Sequence, residues 1–380
     1  MWQSGIPKEI LGLVGSLLSD EPCSGSSKAG RLVCKSWASC IAEGTTKLSL
    51  GRDVGEPGYF HLFRNAEYVS YSSAPIDSKG LGELRRLRRL RVPACTDDML
   101  ANVRVKWLEL LSGARITSID RIGGLACLVR LDLVGCDHLL GHVKLEGRDL
   151  PVLETLDLSS CCKLTRLDIR GSNALRHVDL NACAGLVRLY LNGVTALASV
   201  NLSDCHKFES LSTILTHAIS HLDLSNCYRL FDLRLRNFLS LSRLVMVKCY
   251  MIKRLRITNL STVESIDLRS CDNLAFVGLA NLPSLTRVSM ADCDSLERVH
   301  ATRLPALSSL NLSGCYALAA IENLRDLTNL ESLSLENCHA LVDGALAGIG
   351  NLCCLKSLDL EGCGDRAEAV ANEIGGLHGL

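Results

Sequence analysis

Leu153-Glu-Thr-Leu-Asp-Leu-Ser-Ser-Cys161 decides the fold, because the chain says it again and again. Ile219-Ser-His-Leu-Asp-Leu-Ser-Asn-Cys227, Leu307-Ser-Ser-Leu-Asn-Leu-Ser-Gly-Cys315 and Leu355-Lys-Ser-Leu-Asp-Leu-Glu-Gly-Cys363 share the pattern L-x-x-L-x-L-x-x-C. Cys161 is followed by Cys183, Cys205, Cys227, Cys249, Cys271, Cys293 and Cys315, every step being 22 residues. Cys136 precedes the run by 25, and Cys338 and Cys363 follow at steps of 23 and 25. Eleven of the 19 cysteines therefore keep one beat. A fixed period of about 20 to 29 residues marks a solenoid rather than a set of globular domains.

Each position has a physical reason. Leu-x-Leu has period two, so both leucines of a short strand point to one side. Parallel strands of successive coils, about 4.8 Å apart, then stack their leucines into inner columns and leave the residues between on an outer face. The cysteine ends the strand where the chain turns inward, and a small thiol suits a buried corner. The pattern resembles the leucine-rich repeat, with Cys where many members carry Asn, over roughly residues 46 to 363. That resemblance implies an α/β solenoid of short parallel strands. Thiols stacked in register have parallel Cβ vectors, which disfavours disulfides. The pairs Cys161-Cys162 and Cys353-Cys354 lack the C-x-x-C spacing of a zinc site, so the beat reads as structural, reduced cysteine.

A second Leu-x-Leu pair falls 11 residues after the first: Leu233 and Leu235, Leu255 and Ile257, Val277 and Leu279. Coils this short leave no room for a proper helix, so the opposite side is expected to carry an extended segment or short strand. Two stretches read as helical: Ala340 to Leu352, which is long enough for a helix and accounts for the step of 25, and Gly80 to Leu90, with Leu81, Leu84, Leu87 and Leu90 at helical spacing. Upstream the beat survives without cysteine in Leu48-x-Leu50, Val69-x-Tyr71, Leu90-x-Val92 and Leu108-x-Leu110. The expected organisation is an N-terminal module over 1–45, a solenoid of about 15 coils over 46–363, and a capping segment over 364–380, whose Ala/Glu-rich sequence suggests a short helix.

Composition excludes several functions. With 41 Lys+Arg against 41 Asp+Glu, the net charge gives no drive to coat nucleic acid or an acidic membrane. No window approaches the roughly 20 apolar residues of a membrane helix, and no basic region precedes an apolar core at the N-terminus. A cytoplasmic or nuclear location, where thiols stay reduced, is expected. There is no Gly-x-Ser-x-Gly, Walker-type loop, His-Glu-x-x-His or dinucleotide fingerprint, so no catalytic activity and no cofactor or metal are expected.

The first 45 residues follow another logic. Ile6-Pro-Lys-Glu-Ile-Leu-Gly-Leu-Val-Gly-Ser-Leu-Leu18 opens with a proline and a carboxylate in the first turn and continues at helical apolar spacing. After a loop, Lys28 to Ile41 reads as a second amphipathic helix. About forty residues cannot bury a good core alone, so apolar faces on two short helices mark a partner surface or a cap for the solenoid end. Ile6-Pro7-Lys8-Glu9-Ile10 and Leu32-Val33-Cys34-Lys35-Ser36-Trp37 resemble the opening and the later L-V-C-x-x-W of an F-box. The resemblance implies docking to the adaptor, and through it the cullin, of an SCF-type ubiquitin ligase. Ile6, Pro7, Ile10, Leu11, Val14, Leu17, Leu32, Val33 and Trp37 match the docking positions.

The outward residue between the two strand leucines reads Asp132, Asp157, Asp179, Asn201, Asp223, Val245, Asp267, Ser289, Asn311, Ser334 and Asp359. This acidic stripe suits a basic or polar peptide, or else its carboxylates cap local backbone groups. One coil, Arg243-Leu-Val245-Met-Val247-Lys248-Cys-Tyr250, places an apolar island in the stripe. Asp157, Asp179, Asp223, Arg243, Val245, Val247, Tyr250 and Asp267 are the candidate target contacts. The second Leu-x-Leu pair presents Arg166, Arg170, Arg188, Arg234, Arg236, Arg254, Arg256 and Arg298, either solubilising charge or a site for an acidic partner. Aromatics there are scarce, which disfavours single-stranded nucleic acid. The expected role is a substrate receptor, monomeric within the ligase complex, that holds an unknown protein target. The alternative is a leucine-rich scaffold in another assembly, of ciliary or immune type.

Overall fold

The computed structural model describes residues 126–364, except 232, 234, 236, 237 and 343, together with 47–50, 65–71, 84, 86–92, 105–110 and 116–117. The helical module expected over 1–45, its nine docking residues, and the capping helix expected after 364 lie outside the described residues. The chain divides into two compact units, Met1–Leu164 and Thr165–Leu380.

In the first unit six strands pair in parallel, each with the next: Lys47–Leu50, Tyr68–Tyr71, Arg89–Val92, Trp107–Leu110, Arg130–Asp132 and Thr155–Asp157. In the second unit nine three-residue strands do the same, from His177–Asp179 through His221–Asp223, Arg243–Val245, Ser265–Asp267 and Arg287–Ser289 to Ser357–Asp359. Their register is the repeat itself: Leu222 faces Leu244, which faces Ile266, which faces Val288. All four are buried. Eleven coils close on a buried cysteine. The expected count of about 15 added the four cysteine-free upstream repeats, of which little beyond the strands is described.

The second Leu-x-Leu pair also forms strands. Leu164–Arg170, Arg188–Asn192 and Ser210–Ile214 make one parallel group, and Arg254–Thr258, Phe276–Ala280, Arg298–Thr302 and Ala320–Glu322 another. The coil between the groups bears no second strand among its described residues.

The helical expectation over 340–352 is corrected, and the one over 80–90 is corrected at its described residues, 84 and 86–90, the rest of it lying outside the described residues. Over 340–352 the described chain turns repeatedly and forms only the 3-10 turn Ile349–Asn351; Leu341, Leu346, Ile349 and Leu352 are buried all the same. Gly344 and Gly348 adopt φ of 77° and 89°, left-handed values that end a right-handed helix. Between 80 and 90, Leu87 N–H bonds to the Leu84 carbonyl in one tight turn, and the N–H groups of Arg88 and Arg89 reach the Glu67 carbonyl of the preceding coil. Leu90 is thus in a strand. In both places the three- and four-residue apolar spacing is that of a solenoid corner. Among the described residues the only helices are two 3-10 turns, Leu324–Asp326 and Ile349–Asn351, and none could cross a membrane.

Candidate recognition face

The cysteine beat is a hydrogen-bond ladder. Within the second unit the Cys205 thiol donates to the Leu180 carbonyl at 3.1 Å, Cys227 to Leu202 at 3.3 Å, Cys249 to Leu224 at 3.2 Å and Cys271 to Met246 at 3.0 Å. Each acceptor is the second strand leucine, or its methionine equivalent, of the preceding coil. That carbonyl also accepts the N–H of its own coil's cysteine, as Leu224 does from Cys227 at 3.2 Å. The thiol therefore fills the second lone pair of a carbonyl that no water reaches. Alanine would fit the space but not make the bond.

Burial pushes these thiols up, to about 12 at Cys161, Cys205 and Cys315 and well above the ordinary thiol value at Cys227. A protonated, enclosed thiol is neither nucleophile nor metal ligand. Among the described residues no group of three or more His, Cys, Asp or Glu could hold a metal ion. Native protein treated with a maleimide at neutral pH is expected to label Cys127, Cys162, Cys353 and Cys354, which are exposed, and to spare the eleven ladder cysteines. Peptide mapping by mass spectrometry checks this; modification of Cys227 or Cys271 before unfolding would contradict it.

The acidic stripe is occupied with its own backbone. Asp157 accepts the Ser159 N–H at 2.9 Å, Asp179 the Asn181 N–H at 2.9 Å and Asp223 the Ser225 N–H at 2.9 Å, and Asn311 does the same for Ser313 at 2.9 Å. Asp179 also accepts from the Asn201 side chain at 3.1 Å. Asp267 caps Arg269 N–H at 3.2 Å and is clamped by its guanidinium at 2.9 and 2.8 Å. These carboxylates shape the turn that leads into the cysteine.

Val245 makes no such cap, and it and Val247 are half-buried rather than fully exposed. Around Val245 the second unit has a groove of about 630 Å³, lined among others by His221, Arg243, Ser265, Asp267, Arg287 and Ser309. Of the candidate contacts it gathers Arg243, Val245 and Asp267. Val247 and Tyr250 are not in its lining. Tyr250 lies one residue past the cysteine, where its ring stacks on Tyr228 at 5.1 Å, which stacks on His206 at 4.7 Å.

The second side is less freely basic than its composition suggests. Arg170 and Arg166 reach the buried carboxylate of Asp168 at 2.8 and 3.7 Å. Arg166 lies over the Tyr190 ring, and Arg254 and Arg256 flank Phe276. Arg188 and Arg298 are exposed, and Arg234 and Arg236 lie outside the described residues. A comparable ladder in the first unit was not anticipated. Arg89 is held between Tyr68 and Trp107, Arg130 lies on the other side of Trp107, and both Trp107 Nε1 and Arg130 Nε donate to buried Asp132, at 3.0 and 2.9 Å. The signal was available: Tyr68, Arg89, Trp107 and Arg130 all immediately precede the first strand leucine or valine.

No family model matches the chain, and no curated protein does. Among solved structures, an internalin from Listeria monocytogenes aligns over 100% of this chain and 95% of its own, with 14% identity and a TM-score of 0.42. A leucine-rich-repeat protein of Leptospira interrogans aligns over 84% and 91%, with 15% identity and a TM-score of 0.41. The functional domain of InlJ from Listeria monocytogenes, described as including a cysteine ladder, aligns over 83% and 63%, with 14% identity and a TM-score of 0.27. By its own repeat and the parallel ladder that its Leu-x-Leu strands build coil after coil, the described chain has the leucine-rich-repeat fold.

Proposed function

We propose that the chain is a non-catalytic recognition subunit: it binds a protein target on the outward face of its three-residue strands and docks through residues 1–45 to the adaptor of an SCF-type ubiquitin ligase. The observation that carries the recognition role is the groove at Val245. It is the place where the capped, self-satisfied stripe gives way to an apolar residue, Val245, in register between Asp223 and Asp267 and with Arg243 and Arg287 in the same lining, and desolvated apolar contacts ringed by polar ones are what interfaces are built on. Such a subunit forms no bond itself. It raises the effective concentration of a target lysine at the ubiquitin-charged enzyme.

The ligase part rests on the F-box-like residues. Full-length protein is expected to co-purify with the adaptor and cullin, and a Pro7→Ala/Trp37→Ala variant to lose at least about tenfold of that signal, as deletion of two interface anchors does. Equal, negligible adaptor recovery from both proteins would leave a scaffold of another assembly as the reading.

A further inference from the structure

The free charge on the recognition face is basic, not acidic, and it is arranged around a gap. The residues in register at the head of successive strands are His221, Arg243, Ser265, Arg287 and Ser309. Arg243 and Arg287 are exposed, and among the described residues neither guanidinium has a hydrogen-bond or ion-pair partner. They stand two strand spacings apart, roughly 10 Å between their backbones, with the small Ser265 between them. The groove's carboxylates do not neutralise them. Asp267 is held by Arg269 through two guanidinium contacts, which leaves Glu264 as the other acid of the lining.

We infer that Arg243 and Arg287 form a clamp for the phosphoryl group of a phosphorylated serine or threonine in a peptide partner, with an apolar neighbour of that residue seated on Val245; this rests on the reading of the strand face as the target surface. The chemistry argues for phosphate over carboxylate. A planar carboxylate is satisfied by one guanidinium fork, whereas a tetrahedral dianion presents oxygens to two forks approaching from opposite sides and to a hydroxyl below. Ser265 sits where that hydroxyl is wanted. A short side chain there also keeps the gap open: a third arginine would close it. The same chemistry argues against RNA, since the lining has no Phe, Tyr or Trp on which a base could stack, and its one aromatic ring, the His221 imidazole, is tied through Nδ1 to the Ser220 hydroxyl at 2.8 Å.

The test uses the full-length chain and a phosphoserine peptide library, one fixed phosphoserine among degenerate positions, beside its unphosphorylated twin. Binding is read by fluorescence anisotropy, with inorganic phosphate as competitor. The phosphorylated library is expected to bind at least about tenfold more tightly than the twin, the scale of one or two charge-assisted hydrogen-bond pairs. Arg243→Gln/Arg287→Gln is expected to bring it down to the twin's level, while Arg298→Gln on the opposite side changes nothing. Circular dichroism confirms that the exposed substitutions leave the fold intact. Equal binding of the two libraries, with both lost in Val245→Asp, overturns the clamp and keeps the face. Binding that neither Val245→Asp nor the double variant alters removes both. A phosphorylated library that fails to bind overturns the clamp, as does a uridine-rich RNA that displaces it and is itself lost in the double variant.

Discussion

Raising the pH above about 9 is expected to unfold the second unit within roughly one pH unit, because its ladder thiols must stay protonated to remain inside. Burial pushes up the thiol ionisation of Cys205, Cys227 and Cys315, to about 12 at Cys205 and Cys315, while at Cys271 and Cys293 a hydrogen bond with a neighbouring ladder thiol raises it first and burial raises it further. The folded value lies above the unfolded one. The contribution is therefore fully present below the unfolded thiol range and is lost as pH rises towards the folded value. In that window each thiol that ionises only in the unfolded chain costs about 1.4 kcal/mol per pH unit. Five acting on one cooperative unit give about 7 kcal/mol per pH unit, comparable with a whole domain's usual stability of about 5–15 kcal/mol.

The check is circular dichroism against pH with a reductant present, so that disulfides play no part. A Cys271→Ala variant separates this cause from general alkaline damage. It is expected to be less stable at neutral pH, since it leaves the Met246 carbonyl without its thiol donor. Yet its stability should fall less steeply with pH, having one titrating thiol fewer. A wild-type transition above pH 11, or a variant with the same slope, would show that the ladder does not govern alkaline stability.

The repeat made the ladder's spacing plain and hid its purpose. Twenty-two residues separate Cys205 from Cys227, but the carbonyl that the Cys227 thiol needs belongs to Leu202, 25 residues back. That offset exists only once coils are stacked. The strand face was legible in the same partial way. Leu-Asp-Leu correctly put Asp179 and Asp223 on the outside, but the turn that folds each carboxylate back onto the second N–H ahead is a matter of local geometry. Arg243 and Arg287, proposed as a clamp, are 44 residues apart along the chain; the repeat puts both among the outward positions beside the stripe but does not show that they lack partners. That appears when columns are read across coils. The helical misreading of 340–352 has a physical cause: the segment that buries Leu346 and Ile349 is long enough for a helix, and the left-handed Gly344 and Gly348 are what break it into turns.

Phe238→Ala is expected to cost about 3–5 kcal/mol, the range for emptying a buried phenylalanine site, and to do so locally. Phe238 is 1% exposed, and with Phe208 it is among the largest fully buried side chains of the described core. The equivalent positions one repeat away are Thr216 and Leu260, both buried. Thr216 is small and spends its hydroxyl on the Ile214 and Leu191 carbonyls at 3.2 and 3.4 Å. A large ring beside a small side chain keeps the column filled in a coil that bears no described second strand. Neither neighbour can grow into the space that alanine leaves. Phe238→Leu, which returns the column's common residue, is expected to cost under about 1.5 kcal/mol. In a solenoid each coil leans only on its neighbours, so the loss should not spread evenly. Hydrogen exchange is expected to quicken across the coils of Thr216, Phe238 and Leu260 and to stay slow at Leu310 and Leu333. The strand Arg243–Val245 begins five residues after Phe238 in the same coil. Phosphopeptide binding should therefore fall with the local opening, even at urea concentrations where the distal coils remain folded. Uniform acceleration of exchange along the unit would instead make the solenoid one indivisible cooperative block, and binding would then track global unfolding alone.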